Sequence, residues 1–171
     1  SPFCLERNNE AVSNLAPENI ERMAPKSIGC SLEEVKQYNT GLINILPKLR
    51  INENNEVKKL RLDATEKEHV STILAQDQPF CIGRMKDMIL EDYAVSILQK
   101  LRIHEAHRIE QLRLNAREKE HVDGILSQDQ PFYVGRMEEM ILGSYAVSLL
   151  PKLGIHEDNV VEKLSLYASK E

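Results

Sequence analysis

The chain has 171 residues, which is long enough for one domain with a sizeable core. Hydrophobic residues make up 42% of the chain, but tryptophan is absent and aromatic residues are only 5%. The core is therefore expected to consist mainly of Leu, Ile, Val and Met. The formal net charge of −5 is spread evenly, and no segment is a basic block. This distribution weighs against binding to nucleic acid or to an anionic membrane, which requires clustered Lys and Arg.

The cysteine pattern indicates a reducing compartment. The three cysteines, Cys4, Cys30 and Cys81, form neither an even disulfide set nor a CxxC pair. No apolar run approaches the roughly 20 residues of a membrane span, and no signal peptide is visible. We therefore predict a cytoplasmic protein without membrane insertion; delivery into the cytosol of another cell is a second reading. Because the chain starts with Ser-Pro-Phe, we also expect an excised piece of a longer protein.

A 52-residue unit is written twice without a gap, at residues 46–97 and 98–149, and 32 of its 52 positions are identical. A fixed period of this kind is the signature of stacked supersecondary units. The predicted organisation is one structural domain with four segments. Residues 1–45 form an N-terminal helical cap with a degenerate half-repeat, 46–97 the first repeat, 98–149 the second repeat, and 150–171 a partial third repeat or C-terminal cap.

In chain order, the first predicted elements are helices that begin near Pro17 and Pro25, because proline suits the first turn of a helix. Within the repeat, a helix is predicted to carry Val57 and Leu60. The alternation Leu60-Arg61-Leu62 also fits a short strand. We favour the helix because the surrounding spacing is helical and nothing nearby indicates a hairpin.

A further helix is predicted to begin near Ala64, because Asp63 followed by Glu66 resembles a capping box. It ends at the sequence QDQPF, where Pro79 cannot continue a helix. The next predicted helix is defined by apolar residues at helical spacing, namely Ile82, Met85, Met88, Ile89 and Tyr93. We expect the methionines to be core residues. After a break, a short helix should run to Ile97, and the second copy repeats the series.

Three or four short helices in each unit indicate an all-α fold, an α-α superhelix or solenoid-like array. The unit is longer than the repeats of about 34 and about 33 residues in tetratricopeptide and ankyrin proteins. The resemblance is therefore to helical superhelices as a class. Because one unit cannot bury its apolar face alone, the copies are expected to stack in a row with an extended surface.

The motif E-x-x-H occurs twice, as Glu66 with His69 and as Glu118 with His121. Paired E-x-x-H motifs hold di-iron centres in four-helix bundles, but such a centre needs two further glutamates from other helices. Here the motifs lie one repeat apart in the first turn of predicted helices, where they stack rather than converge. We therefore predict a solvated acidic first turn, with no metal and no cofactor.

The sequences Gly83-Arg84 and Gly135-Arg136 follow the Pro-Phe turn of each copy. Glycine inside a helix costs up to about 1 kcal/mol relative to alanine, which indicates close approach of a neighbouring helix. The arginines are then presented at regular spacing to an acidic partner or a phosphate; alternatively, each pairs with Asp77 or Asp129 of its own repeat. The predicted partner-binding residues are these arginines and the preceding turns: Arg84, Arg136, Gln76, Asp77, Gln128 and Asp129.

Enzyme motifs are missing from the sequence. It contains no P-loop, no G-x-G-x-x-G and no recognisable Ser/His/Asp or Cys/His set. We therefore predict a non-enzymatic protein–protein interaction module, an adaptor, regulator or effector-type scaffold that binds a protein partner on the repeat surface. The alternatives are a nucleic-acid-binding helical array, a metal-binding helical domain that uses the E-x-x-H pair, and a spacer within a longer chain.

Overall fold

The computed structural model describes residues 3–5, 15–104, 107–155 and 157–168. Strands alternate with short helical segments throughout this part of the chain. The strands are β1 (Phe3–Leu5), β2 (Glu34–Tyr38), β3 (Glu56–Ala64), β4 (Arg84–Asp92), β5 (Arg108–Ala116), β6 (Phe132–Ser144), β7 (Leu153–Ile155) and β8 (Lys163–Tyr167). The α-helices are α1 (Leu15–Arg22), α2 (Ser71–Leu74) and α3 (Glu120–Leu126), and the 3-10 segments are Gly41–Lys48, Lys67–His69, Tyr93–Lys100 and Tyr145–Lys152.

The described strands form one parallel sheet. Strands β1 to β7 are neighbours in chain order, and β8 pairs with β6. Every strand pair is parallel, from β1 with β2 to β6 with β8. Parallel neighbours require a crossover connection, and the helical segments provide it. The chain therefore winds as a coil in which each turn up to β6 adds one strand to the sheet, and the last turn adds β7 and β8 beside β6.

The predicted all-α superhelix is wrong, because most of the segments assigned to helices are strands. Leu60-Arg61-Leu62 lies in β3, so the strand that we considered and rejected is present. Met85, Met88 and Ile89 lie in β4. The spacing of three residues between Val57 and Leu60 fits one face of a helix, but both residues lie in one strand and both side chains are buried. The hydrogen-bond partners of a parallel strand lie on other turns of the coil, so local spacing does not reveal them.

The 52-residue unit consists of two coils rather than one. The inward residues Val57, Met85, Ile109 and Met137 occupy equivalent places on successive strands, at separations of 28, 24 and 28 residues. Each coil carries three inward apolar residues, of which the second and third follow the first by three and five positions. The structural repeat is therefore one coil of 24 or 28 residues.

The core lies between the sheet and the helical segments. Leu62, Leu90, Leu114 and Leu142 form one row across the strands, and each side chain is fully buried. The predicted core methionines are buried as well. Full burial of one such side chain contributes about 1.5–3 kcal/mol, so each added coil extends a continuous apolar row.

Some local helix predictions are confirmed. The short helix predicted to reach Ile97 is the 3-10 segment Tyr93–Lys100. A helix does follow Asn115, but it begins at Glu120 rather than near Ala116, which ends β5. The capping box predicted at Asp63 is wrong, because that residue lies within β3. Helical propensity is therefore realised only on the connections between strands.

Parts of the predicted terminal segments lie outside the described residues. These parts are residues 1, 2 and 6–14 of the N-terminal cap and residues 169–171 of the last segment. Among the described helices, none has the length and apolar character that crossing a bilayer would require.

Gln37 occupies a core position that the following strands fill with leucine. Its backbone pairs with Leu62, its side chain is fully buried, and neither amide atom has a hydrogen-bond partner. An unpaired buried polar group costs about 1–3 kcal/mol. We expect Gln37→Leu to raise the free energy of unfolding by about that amount, measured by urea denaturation. Lower stability of the variant would contradict an unsatisfied amide at this position.

Candidate interaction surface

Three exposed arginines lie side by side across the sheet, and we call them the arginine row: Arg84, Arg108 and Arg136. Arg108 pairs with Arg136 in the register of β5 and β6. Arg84 lies opposite Arg108, because Asp87 and Gln111, three residues further along, are register partners. Neighbouring strands lie about 4.8 Å apart, so the row presents three guanidinium groups at the spacing of the sheet. Its outer members are two of the predicted binding residues.

The same backbone arrangement, repeated in the two copies, positions the outer arginines on their strands. Gly83 and Gly135 precede them with φ values of +81° and +77°, a region that residues with a Cβ rarely enter. The Arg84 N–H donates to the Asn55 carbonyl over 2.7 Å. The Arg136 N–H donates to the His107 carbonyl over 3.3 Å. Gly83 thus lies directly before β4, and Gly135 lies within β6 beside a shift in register. The sequence had suggested a helix–helix contact at these glycines, and that suggestion is wrong.

Most charges around the row are paired with one another. Lys86 Nζ lies 3.5 Å from Glu110 Oε1. Arg108, in the middle of the row, lies 2.8 Å from Glu138 Oε1 through its Nε and 3.6 Å from Glu162 Oε1 through Nη2. These contacts hold the central guanidinium against the protein's own carboxylates. They leave the two ends of the row as its available cations.

Neither outer arginine has an acidic partner in the described part of the chain. Arg84 Nη2 donates to the Asn54 side-chain oxygen over 3.4 Å, and no carboxylate lies within ion-pair distance of Arg84 or Arg136 among the described residues. The alternative pairing with Asp77 or Asp129 is therefore not formed. Both guanidinium groups are exposed.

A cleft of about 490 Å³ lies over the Arg84 and Arg108 part of the row. His104 and His107 form one wall, and their ring centroids are 5.3 Å apart. The pKa of His107 is lowered, first by burial and then by the nearby His104 and Arg84. The lowered pKa favours the neutral form of His107, so this side chain adds a polar group to the wall. Arg84, Lys86 and Arg108 carry positive charge beside it.

The other predicted binding residues lie away from the row. Gln76 and Asp77 follow α2 and line a second cleft, together with Phe80 and Arg102. The Gln76 carbonyl accepts a hydrogen bond from Lys100 Nζ. Lys152 Nζ makes the same contact with the Gln128 carbonyl, and Asp129 follows it as an exposed turn residue. The two glutamines thus contribute their backbone carbonyls to contacts between coils, and the structure does not unite these turns with the arginines.

The E-x-x-H motifs have separate and different surroundings. They follow β3 and β5, which β4 separates, so the two histidines do not face one another. In the first copy His69 Nε2 lies 3.8 Å from Glu66 Oε2. In the second, the ligand atoms of Glu118, Glu120 and His121 lie within 4.8 Å of one another. Convergence of both motifs on one di-metal centre is thus excluded by the strand order.

A buried carboxylate distinguishes the second motif. Asp92 is only 1% exposed and has a φ of +55°. It accepts from Arg117 Nε over 2.9 Å, and its Oδ1 lies 3.4 Å from His121 Nδ1. Tyr93 packs edge-on against His121 at 4.4 Å, and a hydrogen bond to Glu120 is the main cause that raises the pKa of Tyr93 to about 12. This network fastens β4 to the segment after β5.

Sequence reasoning missed the central member of the row. In the 52-residue alignment Arg108 corresponds to Glu56, so nothing marked it as equivalent to Arg84 or Arg136. The signal was the pair of shorter separations, 24 residues from Arg84 to Arg108 and 28 from Arg108 to Arg136.

Comparison of the chain with protein-family models, with curated protein sequences and with solved structures gave no match.

Proposed function

We propose that this chain is a non-enzymatic protein-interaction module that binds an acidic segment of a partner protein through the arginine row. The observation that carries the proposal is the contrast within the row. The central Arg108 is paired with carboxylates of its own chain, whereas Arg84 and Arg136 are exposed and have no carboxylate partner among the described residues. Guanidinium groups form strong, charge-assisted hydrogen bonds with carboxylates. Two such groups on a repeated scaffold suit a partner that carries acidic side chains.

The scaffold supports this role. Repeat proteins stack their units into extended surfaces, which they commonly use for binding. The sheet holds the row on hydrogen-bonded backbone rather than on loops, so little conformational entropy is lost when a partner binds. A binding module of this type acts as an adaptor, a regulator or an effector-type scaffold.

We place the module in the cytoplasm. Cys30 and Cys81 are free thiols, and neither forms a disulfide within the described residues. Free cysteines persist in compartments that are kept reducing. Fractionation of cells that express the protein would test this location.

Charge reversal at the two ends of the row should abolish partner binding. The probe is a displayed library of 12-residue peptides selected against the wild-type chain, and we expect the selected peptides to be rich in Asp and Glu. A hydrogen bond to a charged group contributes about 1.5–3 kcal/mol. Each single variant, Arg84→Glu or Arg136→Glu, should therefore weaken a selected peptide at least about tenfold, and the double variant about a hundredfold.

Arg102→Glu is the matched control, because it makes the same charge change at an exposed arginine that lines the second cleft. It should leave the affinity within about twofold, and circular dichroism should show the same fold for all variants. If Arg102→Glu weakens peptide binding as much as the row variants do, the loss of affinity comes from the change in net charge and not from the arginine row. Selected peptides that bind the double variant as well as the wild type would contradict the proposed surface.

A further inference from the structure

The spacing of the two available arginines defines what kind of acidic segment fits them. Arg84 and Arg136 lie two strands apart, with Arg108 between them. At a strand spacing of about 4.8 Å their backbones are about 9.6 Å apart. When both arginine side chains extend straight from the sheet, their guanidinium groups keep about this spacing. A partner that engages both then presents two carboxylates on one face at about the same distance.

Three peptide conformations can be compared with that distance. In a β-strand, residues i and i+2 share a face about 6.8 Å apart and i and i+4 about 13.6 Å apart, so neither matches. A polyproline II segment rises about 3.1 Å per residue with three residues per turn, which places i and i+3 on one face about 9.3 Å apart. An α-helix places i and i+7 about 10.5 Å apart.

The match in length decides between the last two conformations. The rise of about 9.3 Å in a polyproline II segment is closer to the spacing of about 9.6 Å between the backbones of Arg84 and Arg136 than the rise of about 10.5 Å in a helix. An extended chain is also narrower than a helix, which is about 10 Å wide. The extended segment is therefore the better match to the arginine row.

The charges beside the row exclude a continuous polyanion. Glu56 lies next to Arg84 in the same row, in register across β3 and β4, and is exposed. Glu53 lines the same cleft, and Glu138 lies beside Arg108. A ligand with charge at every position meets these carboxylates, because like charges at close range are unfavourable. Two separate acidic side chains avoid them.

We propose that the arginine row binds an extended, polyproline II-like segment of a protein partner in which two acidic residues are three positions apart, in the pattern D/E-x-x-D/E. This inference rests on the proposed function, because it specifies the partner of the same surface. One carboxylate bonds to Arg84 at the cleft and the other to Arg136 at the far end of the row. The intervening residues cross Arg108, which its own carboxylates already hold.

The test is a series of synthetic proline-rich peptides of equal length and charge, each with two aspartates. The aspartates stand at i and i+2, at i and i+3, or at i and i+4, and NMR titration of the labelled chain at low salt gives each dissociation constant. We expect the i, i+3 peptide to bind about tenfold more tightly than the other two, which corresponds to one additional charged hydrogen bond. Arg84→Ala or Arg136→Ala alone should bring all three peptides to the same affinity, because only one carboxylate is then engaged.

Two further probes cover other ligands. The first is a stapled helix with aspartates at i and i+7, and the second is a single-stranded oligonucleotide of equal length. If either binds more tightly than the i, i+3 peptide, the proposal of an extended acidic segment is overturned. Equal affinity for all three spacings would overturn it as well. If that equal binding still disappears in the Arg84→Glu/Arg136→Glu variant, the proposed function stands without the spacing rule. If it persists in that variant, the proposed function fails too.

Discussion

Replacing Gly83 by alanine should destabilise the protein by about 2–5 kcal/mol. The residue has a φ of +81°, and a Cβ built there lies 2.5 Å from the Asn55 carbonyl oxygen. The left-handed region costs a residue with a Cβ about 1–2 kcal/mol, and forced overpacking adds about 1–3 kcal/mol. The clashing oxygen also accepts the Arg84 N–H, so the variant should disturb the end of the arginine row as well.

Two other glycines provide graded controls for this measurement. A Cβ built at Gly135 lies 3.2 Å from Ile103 Cγ2 and 3.3 Å from the His107 carbonyl oxygen. Gly135→Ala should therefore lower the free energy of unfolding by less than Gly83→Ala does. At Gly29 nothing lies within 4 Å, and Gly29→Ala should be close to neutral. Urea denaturation with a shared m-value measures all three. A near-neutral Gly83→Ala would refute the backbone geometry assigned to this turn.

The second large effect is expected at Asp92. Loss of its carboxylate removes charged hydrogen bonds to Arg117 and the contact with His121, both made by a group that is almost completely buried. Asn tolerates a positive φ better than other residues, so Asp92→Asn should cost only the electrostatic part, about 2 kcal/mol. Asp92→Ala adds backbone strain and should cost about 3 kcal/mol in total.

The effect at Asp92 should depend on pH in a defined direction. Burial by itself favours the neutral carboxyl, but Arg117 outweighs it, so the pKa of Asp92 lies below its ordinary value. A lowered pKa stabilises the folded state fully above the unfolded value of about 3.9 and ceases to do so as the pH falls through the folded value. The stability gap between wild type and Asp92→Asn should therefore be constant near pH 7 and shrink below about pH 4.

Asp123→Asn is the matched control for this series, because Asp123 is exposed on α3, two residues after His121. It should change the free energy of unfolding by less than about 0.5 kcal/mol. A gap between wild type and Asp92→Asn that widens on acidification would contradict the charge pair with Arg117.

The all-α fold was predicted wrongly because the apolar spacing in β3 fits both a helix and a strand. The inward side chains of β3 are Val57, Leu60 and Leu62. The step from Val57 to Leu60 suits a helix, whereas the step from Leu60 to Leu62 suits a strand. The helical spacing around this segment and the absence of a hairpin signal then favoured the helix. The segment is a strand because β2 and β4 provide hydrogen-bond partners on both sides, and no local spacing reports partners 24 to 28 residues away.

The sequence by itself determined the repeat, its 52-residue period and the two outer arginines that recur with it. It also indicated the short helix that reaches Ile97, because apolar spacing acts within a few residues. Only the tertiary structure decided that each period is two coils, that the glycines before the outer arginines lie at the sheet rather than between helices, and that Arg108 joins Arg84 and Arg136. These features depend on register between strands, and the packing of whole coils against one another sets that register.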